Sequence, residues 1–225
     1  MIVTDLGLMP YRQAWDMQLD AHARVLAGEE ERLLLVEHTP VITLGRRPSA
    51  AQHLLADPTQ LASAGVELVQ SDRGGDITFH GPGQLVAYPI VRLADHALSV
   101  GAYVRRLLHT VVLVLRDFGI SGYIDPSAIG VWVDVPPPAK ICALGVRVRR
   151  GVSLHGIALN VATDLRYFSL IVPCGLPRPV TSMHRLLGDR TPSMPAVKTA
   201  VANAICKAFE RTANESDHQS RSSAR

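Results

Sequence analysis

The parts of this chain that can do chemistry are a glycine-dense segment, three cysteines, and the histidines and lysine set near them. The segment reads Arg73-Gly74-Gly75-Asp76-Ile77-Thr78-Phe79-His80-Gly81-Pro82-Gly83-Gln84, with four glycines, a proline, an arginine and a histidine in twelve residues. Glycine admits positive φ and lets a ligand approach the main chain, and a run of N–H groups can cradle an anion or a carbonyl oxygen. The same residues equally suit a tight connection between strands, with Gly and Pro as turn formers. Two phosphate-binding loops are excluded, because no Gly-Lys-Ser/Thr follows and the spacing is not GxGxxG.

The cysteines differ in context. Cys206 continues a helical pattern beside Ile205 and reads as core. Cys174 stands in Val172-Pro173-Cys174-Gly175, where Pro and Gly suggest a bend that presents the sulfur instead of packing it. Cys142 follows Lys140 by two residues, so in an extended segment both side chains point to one face. A nucleophilic thiol needs a neighbouring cation or base to lower its pKa, and the candidates are Lys140, His80 and His155. Lys140 closes Val135-Pro136-Pro137-Pro138-Ala139-Lys140, a place that taken alone suits a solvated charge. His155-Gly156-Ile157-Ala158-Leu159-Asn160 sets a histidine and a glycine inside a strand pattern. That marks either the close approach of a ligand or a packed strand with a hydrogen-bonded histidine. A hydrolase pairing Cys174 with His80 or His155 lacks an Asn or Asp orienter that spacing reveals.

Three blocks in register carry a resemblance. RGGDITFHGPGQLVAYP resembles the RGGxxT(F/Y/W)HGPGQ signature of the lipoyl(octanoyl) transferase (LipB) family, within the biotin/lipoate protein ligase superfamily. KICALGVRVRRGVSLHGIALNV is similar to that family's second block and IVPCGL to its third, and the likeness runs through residues 5–190. It implies transfer of an octanoyl group from octanoyl-acyl carrier protein to a lysine of lipoyl domains, through a thioester on Cys174. Acceptors would be the lipoyl domains of 2-oxoacid dehydrogenase complexes and the glycine cleavage H protein. Lys140 matches the lysine that lowers the thiol's pKa. Family substrate-binding segments match Arg73, Gly74, Gly75, Asp76, Ile77, Thr78, Phe79 and His80, then Ala143, Leu144 and Gly145, then Gly156, Ile157 and Ala158. No metal and no cofactor is implied. Two other readings keep the same fold. One is an ATP-dependent lipoate or biotin protein ligase, in which the glycine loop holds an acyl-adenylate and Cys174 is structural. The other is a non-catalytic binder of acylated carriers or lipoyl domains.

Elements must position these residues. A first helix starts at Pro10, with Tyr11, Ala14, Trp15, Leu19, His22, Val25 and Leu26 inward and Gly28 as a stop. A second is capped by Ser99, buries Tyr103, Val104, Leu107, Leu108, Val111, Leu115 and Phe118, and ends at Gly119. A third follows Ser193, with Val197, Val201, Ile205 and Phe209 on a stripe. Strand-like runs are Arg32–Glu37, Val41–Leu44, Val66–Val69, Ile77–His80, Leu85–Val91, Ile129–Val133, Cys142–Arg149 and Leu154–Val161. Strands in runs with few helices between them predict an α+β fold, a mixed or antiparallel sheet flanked by helices, and not a doubly wound domain. The resemblance implies the same, a catalytic domain like that of biotin and lipoate protein ligases.

Composition sets the outer limits. A chain of 225 residues that is 47% hydrophobic and 19% charged can bury one core without disulfides or structural metal. One catalytic domain over 1–211 is expected, with a polar disordered tail over 212–225. The longest apolar run, Val111–Leu115, is far short of the roughly 20 residues of a membrane span. With no secretory signal and no disulfide framework, a cytoplasmic monomer is expected, binding neither membrane nor nucleic acid. Net charge is +3, and basic residues cluster at Arg46-Arg47, Arg105-Arg106 and Arg147 with Arg149-Arg150. Acyl carrier proteins are acidic, which makes the first and last of these clusters candidate landing sites.

Overall fold

The computed structural model describes residues 1–173 and 178–210. A seven-stranded sheet carries the fold. Its strands are β1 (Ile2–Met9), β2 (Arg32–His38), β6 (Gln84–Ile90), β7 (Gly122–Ile124), β8 (Val131–Val133), β9 (Ala139–Arg149) and β10 (Val152–Asn160). They lie in the order β1-β2-β6-β10-β9-β8-β7, and only β1 and β2 run parallel. A smaller sheet, order β4-β3-β5, joins β3 (Val41–Leu44), β4 (Glu67–Gln70) and β5 (Thr78–His80), parallel at β3/β4 and antiparallel at β3/β5. The expected mixed sheet with flanking helices is what forms.

Alternation divides the large sheet between two cores. Leu33 and Leu35 of β2, Leu85 and Ala87 of β6, and Ile157 and Leu159 of β10 pack under α3 (Val100–Asp117) and α5 (Met194–Ala208). The intervening Leu34, Val36, Val86, Tyr88 and Ala158 pack under α1 (Tyr11–Leu26). Central strands buried on both faces read as continuous apolar runs, which is why Leu33–Val36 shows no alternation in its sequence. A third cluster ties the small sheet to α2 (Pro58–Ser63) and to the 3₁₀ turn Leu165–Leu170. The Asp57 carboxylate accepts from Gln60 N–H at the start of α2, and Gln60 Oε1 accepts from Asp57 N–H in return.

Several expectations shift. α1 buries Gln18 and exposes Leu19, so its inward stripe is rotated from the apolar pattern. In α3, Thr110 and Val114 are buried where Val104 and Phe118 were expected, and the latter two are half-buried. β8 begins at Val131, and Ile129 stands exposed. Strand β1, strand β7, α2 and the five-residue α4 (Met183–Leu187) carry little periodicity and were not expected. The expected tail over 212–225 lies outside the described residues. No described helix is long and apolar enough to cross a membrane.

Candidate active site

The site forms where β8 stops covering β9. Pairing runs Val133↔Ala139, Trp132↔Lys140 and then Val131↔Cys142, so Ile141 is an extra residue in β9. Such a bulge breaks the two-residue alternation. Lys140 therefore turns to a cavity while Cys142 is fully buried in the main core, and the two do not share a face as an even strand would require. Farther along β9, the glycine segment closes on the strand, with Gly74 N–H donating to Val146 O at 3.0 Å. The approach needs glycine on both sides. A Cβ on Gly74 would stand 2.7 Å from Val146 O, and one on Gly145 would stand 2.8 Å from Gly74 O. Gly156 is tighter still, its would-be Cβ lying 2.0 Å from the Ala87 carbonyl. These glycines admit neighbouring backbone.

Between the glycine segment, β9, β10 and the 126–129 loop lies a cavity of about 410 Å³. Arg73 through Thr78, His80, Lys140, Ala143 through Gly145 and Gly156 through Ala158 all line it. Phe79 does not. Its ring stacks on Tyr167 at 4.6 Å and meets Phe168 edge-on at 5.6 Å, in the small sheet's core. Arg73 both lines the cavity and locks the loop to β3, donating through Nε to Thr43 Oγ1 at 3.1 Å and through Nη2 to Thr43 O at 2.7 Å. Asp76 accepts from Ile77 N–H at 2.7 Å and contacts His53 Nδ1 at 2.8 Å.

Cys174 lies outside the described residues, but its flanks do not. Lys140 N–H donates to Pro179 O at 2.9 Å, and Thr181 N–H donates to Lys140 O at 2.8 Å. On the other side, Pro173 lines a small recess with Lys140, Ala143 and Ala158. A buried polar chain reaches the same point. His80 Nδ1 donates to Gln84 Oε1 (2.7 Å), Gln84 Nε2 to Asn160 Oδ1 (2.9 Å), and Asn160 Nδ2 to Thr181 O (3.0 Å). Gln84 Nε2 also donates to Phe79 O at 3.2 Å, which fixes its oxygen as the acceptor and His80 as the Nδ1–H tautomer.

Aromatic rings form the cavity's polar wall. Tyr11 stacks on His80 at 6.0 Å, and His38 meets His80 edge-on at 5.8 Å. Burial pushes His38 down to about 4, and burial, then His38, hold His80 well below the usual imidazole range. Both rings are neutral near pH 7. His155 contacts Asp72 Oδ1 through Nε2 at 2.6 Å, and Asp72 in turn meets Arg147. The His155 hydrogen bond leads in lowering the Asp72 pKa, while burial lowers that of His155. His155 has φ 58°, and its ring lies against Trp15 and Tyr11 of α1. Asp72 is thus a carboxylate orienter for His155, 83 positions upstream, which spacing could not show. Burial also raises the Cys142 thiol to about 12, which removes it as a nucleophile. Tyr11, Arg47, Tyr88 and the 126–129 loop line the cavity without having been expected there. Tyr11 is read in the sequence only as an inward residue of the first helix, and Arg47 only as half of a basic pair.

Comparison with known proteins agrees with this architecture. Among solved structures, a lipoate-protein ligase A bound with ATP superposes with TM-score 0.77 at 18% identity, over 92% of this chain and 84% of that one. A biotin protein ligase from Aquifex aeolicus gives TM-score 0.54 at 11% identity, over 92% and 69%. These likenesses concern the fold. Proteins named octanoyltransferase are far more similar in sequence. That of Roseiflexus sp. (strain RS-1) is 49% identical over 91% of this chain and 85% of its own length. That of Chloroflexus aggregans is 46% identical over 92% and 94%, and that of Mycobacterium ulcerans 45% over 96% and 91%. The family model for the lipoyl protein ligase A/B catalytic domain matches residues 10–206, and the chain belongs to that family.

Proposed function

We propose that this protein is an octanoyltransferase that moves an octanoyl group from octanoyl-acyl carrier protein to a lysine of lipoyl domains, through a thioester on Cys174. The observation that carries the reading is Lys140. It is 6% exposed, opens onto the cavity, and its backbone is bonded to the segment that resumes after Cys174. An ammonium beside a thiol favours the thiolate. Attack of the Cys174 thiolate on the donor's thioester forms the Cys174 thioester and expels the carrier's thiolate, which takes a proton from the Lys140 ammonium and leaves as a thiol, an exchange close to isoenergetic that needs no ATP. Once neutral, the Lys140 amine takes the proton of the incoming substrate amine as it displaces Cys174 to form the amide. Arg73 through Thr78, His80, Ala143 through Gly145 and Gly156 through Ala158 bind the acyl substrate, and Phe79 supports them from behind. Ile77, Leu144 and Ile157 supply an apolar wall. At ~0.8 kcal/mol per buried methylene, an eight-carbon chain gains up to about 5 kcal/mol, enough to select length.

Octanoyl-acyl carrier protein without ATP is expected to leave a hydroxylamine-labile octanoyl group on Cys174, read by intact mass. Cys174→Ala should take up none. Lys140→Ala should slow its formation by about 1000-fold. Strict ATP dependence with free octanoate would instead establish a ligase, and an unmodified Cys174 during steady turnover would refute the covalent route.

A further inference from the structure

Trp132 is fully buried on β8, and the reaction proposed above gives it no task. Its indole Nε1 donates to Ala128 O at 2.8 Å, which ties the cavity's 126–129 rim to the strand. Its ring also carries two cations. Lys140 Nζ lies 4.9 Å from the centroid and the Arg178 guanidinium carbon 5.1 Å. An aromatic face attracts a cation through its quadrupole, and more strongly where water is excluded, as it is around Lys140. The β9 bulge sets Trp132 opposite Lys140. Gly130, at φ 140°, leaves room for the lysine arm, since a Cβ there would stand 3.1 Å from Lys140 Cε. Arg178 is the first described residue after 174–177, and it donates to Asp125 Oδ2 at 2.6 Å. Asp125 in turn accepts from Ser127 N–H at 2.8 Å and Ser127 Oγ–H at 2.6 Å. Two like charges on one ring repel, and the Asp125 carboxylate offsets one of them.

We propose that Trp132 is a positioning residue for acyl transfer. A single indole fixes the Lys140 ammonium and, through Arg178, anchors the far end of the segment that bears Cys174. The Lys140 amine and Arg178, the residue that follows 174–177, are thereby held to one reference point. The role rests on the proposed reaction of Cys174 with Lys140 and deepens it.

The test uses the full chain with octanoyl-acyl carrier protein and an unmodified lipoyl domain, reading kcat and KM separately. Trp132→Phe keeps an aromatic face and Trp132→Leu removes it. Both lose the indole N–H, so their difference reports the face alone. The Phe variant is expected within about threefold of wild type, and the Leu variant about tenfold lower in kcat with KM little changed. Equal kcat for the two overturns the proposal. Should Trp132→Leu fail to fold, Arg178→Gln and Arg178→Lys replace it. Gln is expected to lower kcat several-fold and Lys to restore it, whereas a Gln variant at the wild-type rate overturns the proposal. Failure of the underlying reaction looks different, because wild-type protein then takes up no octanoyl group on Cys174 and the positioning role falls with it.

Discussion

His80 and His155 line the cavity and His38 packs against His80, and burial lowers the pKa of all three, which has a consequence for stability. His38 titrates at about 4 in the fold against 6.5 in an unfolded chain, so below pH 6.5 the unfolded state binds a proton that the folded state refuses. Stability is therefore lost as pH falls, by about 2 kcal/mol between pH 7 and pH 5 for this ring alone. The other two histidines act in the same direction. Urea unfolding of wild type and His38→Gln at the two pH values should show a smaller drop for the variant; equal drops would contradict the assignment. Cys142 offers a second check at this scale. With its thiol at about 12 and no exposure, iodoacetamide at pH 8 should leave it unmodified until the protein is denatured, which peptide mass mapping reads directly.

At the scale of elements, the hairpin of β9 and β10 organises the site. Gly156 sits where β10 crosses β6 so closely that a methyl group would overlap the Ala87 carbonyl at 2.0 Å. Gly151 at the hairpin turn has φ 80° and nothing within 4 Å of a would-be Cβ. Gly156→Ala should cost about 3 kcal/mol or more, because sheet backbone must move. Gly151→Ala should cost about 1 kcal/mol, from backbone conformation alone. Thermal melts of the two variants order these effects, and a reversed order would mean that the strands are spaced differently.

For the whole molecule, the question is where an acidic carrier would dock. Of the arginine clusters noted in the sequence, Arg147 is engaged with Asp72, the carboxylate that holds His155. Arg46 and Arg47 stand exposed, and Arg47 reaches the cavity rim. Arg149 and Arg150 project at the hairpin end. Carrier docking is therefore expected at Arg46 and Arg47. Reversing both to Glu should raise KM for octanoyl-acyl carrier protein about tenfold at low salt and flatten its salt dependence. An Arg149→Glu/Arg150→Glu variant should change it less. Equal salt dependence in all three proteins would place the docking surface elsewhere.

The sequence by itself determined the three long helices, whose apolar residues recur on one face, and the central strands, which read as short unbroken apolar runs because both their faces are buried. Of the segments that line the cavity, the glycine-dense one and His155-Gly156 stand out by composition, whereas Ala143, Leu144 and Gly145 are marked only by the family resemblance. The sequence did not determine which residues meet. Asp72 finds His155 and Trp132 finds Lys140 only through sheet register. One inserted residue in β9 sends Lys140 to the cavity and Cys142 to the core, reversing what even alternation implies. Periodicity is a local property that a few neighbouring residues establish. Register and bulges depend on the partner strand, and that partner is chosen only when the whole sheet assembles.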